Sequence, residues 1–119
     1  DWDSAARLLM ENPDVVKTGG AGSGVFHLMA KRNNAAAVKW LLDHGVDPNA
    51  RWNHWDAEVT PLHLAILGKH PEVVRILLAA GADPTIRDTK HKATATEWAE
   101  FFGHREIVRI LTADEAKGK

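Results

Sequence analysis

The 119-residue sequence contains no cysteine, only two serines and no long apolar run. Without cysteine the chain has no disulfide framework, no thiol nucleophile and no Cys-ligated zinc site, and it is compatible with a reducing compartment. The longest apolar runs, such as 76–80, are far shorter than the roughly 18 residues of a membrane span, and no signal segment opens the chain. We therefore expect a cytoplasmic protein without a membrane contact.

The sequence also lacks an excess of charge of either sign, since it contains 15 basic and 16 acidic residues. The two signs are distributed evenly, with 6 basic and 8 acidic residues up to Val59 and 9 and 8 after it. This balance shows none of the basic stripes or patches that attract nucleic acid. The composition, 45% apolar and 26% charged, is that of one ordinary globular domain.

Internal repetition is the strongest signal in the chain. Residues 25–50 align without a gap on residues 61–86, so that His27 falls on His63 and Asp47-Pro48 on Asp83-Pro84. A third copy follows over residues 94–111, and half a copy precedes the first. Self-similarity at such a period indicates stacked units, each burying its apolar face on its neighbours.

Each copy carries its own start and stop signals. Thr60-Pro61 is a hydroxyl N-cap followed by proline at the first helical position, and Pro71 opens a second helix. Gly81 suits the left-handed end of that helix, and Asp83-Pro84 forces an extended turn. The repeated unit is therefore predicted to be helix, tight turn, helix and protruding loop.

The motif Thr60-Pro61-Leu62-His63-Leu64-Ala65, followed later by Gly81-Ala82-Asp83, resembles the ankyrin repeat. The resemblance covers about residues 4–112 and implies an all-α solenoid of stacked helix-turn-helix units with protruding hairpin loops. The expected organisation is one domain: an N-terminal half-repeat over 1–23, repeats over 24–59 and 60–93, a C-terminal capping repeat over 94–114 and a frayed tail over 115–119.

Catalytic motifs are not found. The glycine-rich stretch 19–24 lacks the lysine and the spacing of a phosphate-binding loop, so we interpret it as a flexible hairpin between repeats. Neither Ser4 nor Ser23 stands in a nucleophile-elbow sequence. We expect neither enzymatic activity nor a cofactor.

The seven histidines divide into structural and unexplained ones. The ankyrin resemblance implies that His27 and His63 hydrogen-bond the backbone and tie adjacent repeats together, and that His70 and His104 occupy turns between helices. His44 lies near a helix C-terminus, where positive charge is favourable. Two histidines remain, His54 and His91, and both are predicted in loops. Together with Asp56 or Asp88 they could bind a metal ion, although the sequence contains none of the short histidine spacings typical of metal sites.

The same resemblance implies a concave partner-binding surface formed by the loop tips and the exposed side of each first helix. Carried onto this sequence, the predicted contact residues are Lys31, Arg32, Arg51, Trp52, His54, Trp55, Leu67, Arg87, His91, Phe101 and Phe102. Three further positions just before each first helix join them: Ser23, Val59 and Ala93. Aromatic and arginine enrichment is typical of binding hot spots.

Several of these aromatic residues also have a structural interpretation. Phe102 precedes Gly103 and is expected to tuck into the turn of the last repeat, and Trp40 and Trp98 are expected in the core. In the longest loop, Trp52 is predicted to fold inward and Trp55 to be partly exposed.

The sequence as a whole favours a monomeric, non-catalytic module that binds another protein. A partner loop or helix would insert against Leu67, Phe101 and the loop of 52–55, with Lys31, Arg32 and Arg87 selecting an acidic rim. Two alternatives stay open: a metal- or small-ligand-binding regulatory protein that uses the loop histidines, and a structural or regulatory domain of a larger chain, since the sequence starts at Asp1 rather than Met.

Overall fold

The computed structural model describes residues 4, 7, 8, 11, 21–54 and 57–117, and the elements are numbered here from residue 21. Three helix pairs follow one another in this part of the chain. They are α1 (Ala21–Lys31) with α2 (Ala35–Asp43), α3 (Pro61–Leu67) with α4 (Pro71–Ala79), and α5 (Ala95–Phe102) with α6 (Arg105–Lys117). Two short antiparallel strands, β1 (Trp52–His54) and β2 (Ala57–Val59), form a hairpin between the first and second pairs.

Hydroxyl caps begin the first helix of two repeats, at Thr60 as the sequence predicts and also at Thr94. The Thr60 side chain accepts a hydrogen bond from the His63 backbone N–H, and Thr94 accepts one from the Glu97 N–H. In both helices the third residue returns the bond to the cap backbone, which completes a capping box. These local bonds satisfy N–H groups that a helix start otherwise leaves without partners.

The helices stack in two layers. The first helices, α1, α3 and α5, pack side by side, and the second helices, α2, α4 and α6, pack behind them. The core between the layers contains the apolar residues that recur at equivalent repeat positions, among them Phe26, Leu41, Leu62, Leu77 and Leu111. The structure therefore confirms the predicted all-α solenoid, with one small hairpin added to it.

Histidines hydrogen-bond backbone carbonyls within a repeat and between repeats. His27 Nε2 lies 2.7 Å from the Ala50 oxygen, and His63 Nε2 lies 3.1 Å from the Ala93 oxygen. His70 reaches back to the first repeat, with Nε2 2.6 Å from the Lys31 oxygen. The backbone hydrogen bonds predicted for His27 and His63 are thus observed, although each acceptor lies in the same repeat as its histidine, and the bond of His70 joins two repeats.

Two helix ends differ from the sequence prediction. Helix α1 begins at Ala21, so that Gly22 and Gly24 are helical instead of belonging to a flexible hairpin. A glycine in a helix costs only about 1 kcal/mol, and the deep burial of Phe26 and Met29 in the same helix outweighs that cost. At the other end, α6 continues to Lys117, beyond residue 114 where a frayed tail is expected.

Candidate partner-binding groove

An open apolar groove lies where α3, α5 and the loop of 87–93 meet. It encloses about 460 Å³. Its walls come from the end of α3, from the loop and from one side of α5: Leu67, His91, Ala93, Glu97, Trp98, Phe101 and Phe102. We call this feature the α5 groove.

Aromatic rings form most of the groove wall on α5. Phe101 is 84% exposed and Phe102 is 42% exposed, and their rings meet edge to face with centroids 5.2 Å apart. The Phe102 ring also lies 6.1 Å from the Trp98 ring, and on its other side it stacks on His104. Phe102 therefore packs partly into the turn, as predicted, while Phe101 projects from the surface.

Trp98 forms the floor of the groove rather than part of the core alone. Its ring contacts both the main core and a smaller apolar cluster of Ala57, Val59 and Leu64. It also meets the His63 ring edge on, with centroids 4.7 Å apart. An indole fixed on several sides gives the groove a rigid base.

Asp88 orients both Trp98 and the loop that borders the groove. The residue is 1% exposed, and its carboxylate accepts hydrogen bonds from the Trp98 indole at 3.0 Å and from the Ala93 and His91 backbone N–H groups at 2.9 and 2.7 Å. Burial alone would raise the pKa of Asp88, but these hydrogen bonds outweigh burial and hold the pKa below its ordinary value. The carboxylate therefore remains ionised at neutral pH and holds loop and helix together.

Charges on the groove rim are largely paired. The Arg87 guanidinium lies 3.0 Å from the Glu97 carboxylate and also donates to the Lys92 oxygen. Hydrogen bonds from the Thr94 backbone and side chain, together with Arg87, hold the pKa of Glu97 below its ordinary value. Arg51 donates to the Arg87 oxygen at 2.9 Å and so ties one hairpin to the next. Arg87 is thus engaged with its own chain, and its selection of an acidic partner stays a prediction.

The residues of the metal hypothesis are only partly within the described structure. His91 and Asp88 do lie together, but the Asp88 carboxylate accepts the His91 backbone N–H. Within 21–54 and 57–117, no three metal-ligating side chains are grouped closely enough to hold an ion. Trp55 and Asp56 lie outside the described residues, and the inward or outward placement of Trp52 and Trp55 stays a prediction.

Comparison with known proteins identifies the architecture. The family model "Ankyrin repeats (3 copies)" matches residues 3–88 and 26–118. The chain belongs to the ankyrin-repeat family. It is 36% identical over 112 residues to Inversin of Canis lupus familiaris and 30% identical over 115 residues to Transient receptor potential cation channel subfamily A member 1 of Homo sapiens. These matches cover 92% and 97% of this chain but only 10% of each relative, so the chain spans about a tenth of the length of either protein.

Ankyrin repeats are generally non-catalytic and serve as protein-interaction modules. Among the described residues of this ankyrin-repeat chain, no helix has both the length and the apolar character to cross a membrane.

Four of the predicted contact residues of this ankyrin-repeat chain come together in the α5 groove: Leu67, His91, Phe101 and Phe102. Ala93 joins them, whereas Val59 is buried in the small apolar cluster and does not face a partner, contrary to the prediction. Lys31, the last residue of α1, and Arg32, which follows it, do not line the groove. Trp52 and His54 lie on β1.

Sequence reasoning missed two residues that shape the groove, Trp98 and Asp88. A signal for Trp98 was present, because it replaces the smaller Leu64 of the preceding repeat and brings an N–H group that needs an acceptor. Asp88 could not be found in the same way, since its acceptor role depends on the path of the loop.

Proposed function

We propose that this ankyrin-repeat chain is a non-catalytic module that binds another protein through the α5 groove. One observation carries the proposal: an open apolar hollow with an aromatic wall, in which Phe101 is 84% exposed. Large apolar side chains in open positions are costly in water and characteristic of recognition surfaces.

The groove has the features of a preformed binding site. Its floor is held by the hydrogen bond between Trp98 and Asp88 and by ring contact with His63. A site that is already ordered loses little conformational entropy when a partner arrives, which favours affinity. An apolar side chain of the partner would displace water from between Leu67 and Phe101, while the Arg87–Glu97 pair would remain at the rim.

The proposal extends to a monomeric module in the cytoplasm. The apolar core that the repeats bury on one another within a single chain supports the first part, and the absence of cysteine supports the second. Sedimentation of the purified chain tests the first part, and imaging of the tagged full-length protein tests the second. A dimer in solution or secretion of the protein would contradict these parts of the proposal.

A pair of single variants tests the groove. Phe101→Ala removes the exposed aromatic wall, and Arg109→Ala is the control, since Arg109 is exposed on α6 away from the groove. Proteins captured by the wild type would be purified and titrated against each variant by calorimetry. We expect Phe101→Ala to weaken binding about tenfold or more, as hot-spot truncations do, and Arg109→Ala to leave it unchanged. Equal affinity of all three chains for every captured protein would refute the proposal.

A further inference from the structure

We infer, on the basis of the proposed function, that the partner residue in the α5 groove is a neutral aromatic side chain with a hydrogen-bond donor at its edge, a tryptophan or a tyrosine, and that it donates to the Glu97 carboxylate. Three features of the groove lead to this chemistry. They are the arrangement of its aromatic rings, an acceptor in its wall that has capacity for another bond, and the charge of Arg87 beside that acceptor.

The rings of the groove stand at steep angles to one another. The Phe101 and Phe102 rings meet at 79° and the Phe102 and Trp98 rings at 70°, with centroids 5.2 and 6.1 Å apart. Most of the Phe101 side chain is open to an added ring. Edge-to-face and offset contacts stabilise a pair of rings beyond the burial of their surface. The α5 wall therefore favours an aromatic residue of the partner over an aliphatic one.

The groove wall also contains a carboxylate that can accept a further hydrogen bond. Glu97 lines the groove, and its side chain is 53% exposed. The Thr94 N–H and the Arg87 guanidinium both bind its Oε1, each at 3.0 Å, and the Thr94 side chain also interacts with the carboxylate. Since an ionised carboxylate has about four acceptor sites, these three donors leave capacity for one more bond, at Oε2.

The carboxylate determines what the partner must bring when it covers the groove. A purely apolar side chain such as leucine or phenylalanine would remove water from Oε2 of Glu97 and leave nothing in its place, which costs free energy. An indole N–H or a phenol O–H at the edge of a ring replaces that water and keeps the apolar contact. Trp98 of this chain is bound in the same way, with its ring in apolar contacts and its Nε1 3.0 Å from Asp88 Oδ1.

Arg87 favours a neutral donor over a cationic one. Its guanidinium lies 3.0 Å from the Glu97 carboxylate, so the pair is already balanced in charge. An arginine or lysine of the partner at Oε2 would lie close to the Arg87 guanidinium, and like charges at short distance repel each other. Among the described residues that line the groove, no second acid is present to offset this repulsion.

Peptide selection followed by removal of the donor tests this inference. Random peptides displayed on phage would be selected on the full 119-residue chain, and those that also bind Phe101→Ala would be removed. The enriched peptides would be synthesised in pairs that differ only in the donor of the anchor. One member carries tryptophan or tyrosine, and the other carries tryptophan methylated on its indole nitrogen or phenylalanine. Fluorescence polarisation would give the affinity of each peptide for the wild type and for two variants.

Glu97→Gln is the decisive variant. Its amide oxygen takes the place of Oε1, which the Thr94 N–H and Arg87 both require, so that the capping box is kept. Its NH₂ group then replaces Oε2 and cannot accept a bond from the partner. Glu100→Gln is the matched control, because it makes the same change in charge at an exposed residue of α5 that lines a different hollow.

We expect tryptophan or tyrosine at the anchor of the selected peptides. Because both residues are common in interfaces of many kinds, the comparison within each pair decides. Removal of the donor should weaken binding to the wild type and to Glu100→Gln about three- to tenfold, the range for one net hydrogen bond. The same removal should change binding to Glu97→Gln less than about twofold, since a steric effect of the added methyl group would act on all three chains alike.

Other results have distinct meanings. Peptides that depend on Phe101 but carry leucine, methionine, phenylalanine, lysine or arginine at the anchor would overturn this inference and leave the groove function standing. No loss on removal of the donor, or an equal loss in the wild type and Glu97→Gln, would do the same. Selection of no peptide that depends on Phe101 would overturn both.

Discussion

Asp88 offers the sharpest test of how the groove is built. Its buried carboxylate accepts hydrogen bonds from the Trp98 indole and from the Ala93 and His91 backbones, and also from the Lys90 N–H at 3.2 Å. Asp88→Ala removes every acceptor and leaves the indole and the Ala93 N–H without a partner in a partly buried site. Since a buried donor without a partner costs about 1–3 kcal/mol, we expect a loss of about 3 kcal/mol in the free energy of unfolding.

Asp88→Asn distinguishes the contributions of the two carboxylate oxygens, because it replaces only one of them. Its remaining oxygen can still accept from Trp98 and Ala93, whereas its NH₂ group would face the N–H groups of Lys90 and His91 and cannot accept from them. The expected loss is about 1–2 kcal/mol, less than for alanine. Urea unfolding followed by circular dichroism should show midpoints that fall by about 1 M for asparagine and about 2 M for alanine, at a slope of about 1.5 kcal/mol/M.

The control for this series is Asp47→Asn. Asp47 is exposed and its carboxylate accepts one bond, from the Asn49 N–H, so we expect a change below about 0.5 kcal/mol. The Trp98 indole signal in a nitrogen–proton spectrum, assigned with Trp98→Phe, should shift in Asp88→Ala and not in Asp47→Asn. Unchanged urea midpoints in both Asp88 variants would refute the conclusion that this carboxylate holds the groove together.

The pH dependence of stability provides an independent check on the role of Asp88. The folded-state pKa of Asp88 lies below its ordinary value, so its contribution is complete above the unfolded pKa of about 3.9 and is lost as pH falls through the folded pKa. The stability difference between wild type and Asp88→Asn should therefore be constant from about pH 5 to 7 and shrink below about pH 4. A difference that grows on acidification would contradict this assignment.

Three further predictions concern stability. Lys69 has a φ of +62°, a left-handed conformation that glycine tolerates best, and the equivalent residue of the next repeat is Gly103. Lys69→Gly should therefore leave the free energy of unfolding unchanged or raise it by up to about 1 kcal/mol in thermal or urea unfolding. Gly103→Ala should lower it by about 1 kcal/mol in the same assay. Gly68→Ala should cost about 1–3 kcal/mol by the same assay because its Cβ would meet the Lys31 oxygen; a cost near zero would show that the two helices can separate freely. Burial holds the pKa of His63 below its ordinary value, so the unfolded chain takes up the proton first and the free energy of unfolding should fall as pH drops from about 7.5 to 5.5. His63→Gln should lose this pH dependence, and an unchanged dependence would disprove the assignment.

Beside burial, the hydrogen bonds of His63 also fit a neutral ring. Nδ1 accepts from the Thr60 N–H at 3.3 Å, which completes the capping box, and Nε2 donates to the Ala93 oxygen. Protonation converts Nδ1 into a donor and breaks the bond to the Thr60 N–H. The neutral ring is therefore the form that suits both the helix start and the bond to the Ala93 oxygen.

Much of the fold could be read from the sequence because its determinants are local and repeated. Thr60-Pro61, Pro71 and Gly81 lie next to the helix ends that they specify, and the alignment of His27 with His63 marks equivalent places in successive units. The same periodicity located the first-helix positions of Leu67 and Phe101, which the structure brings into one groove. The start of α1 at Ala21 was missed because burial of the rest of that helix outweighs the weak helix preference of its glycines.

Tertiary structure alone decided which polar groups are satisfied within the chain. The ion pair of Arg87 depends on the place of Glu97, ten residues further along. The place of Trp98 at the groove depends on the loop that brings the Asp88 carboxylate within hydrogen-bonding distance of the indole N–H. Such pairings depend on the path of the backbone between the two paired residues, and the spacing of the repeats does not predict that path. The sequence by itself determined the stack and predicted which first-helix positions face a partner; the packing of loop against helix determined which of those positions line the α5 groove.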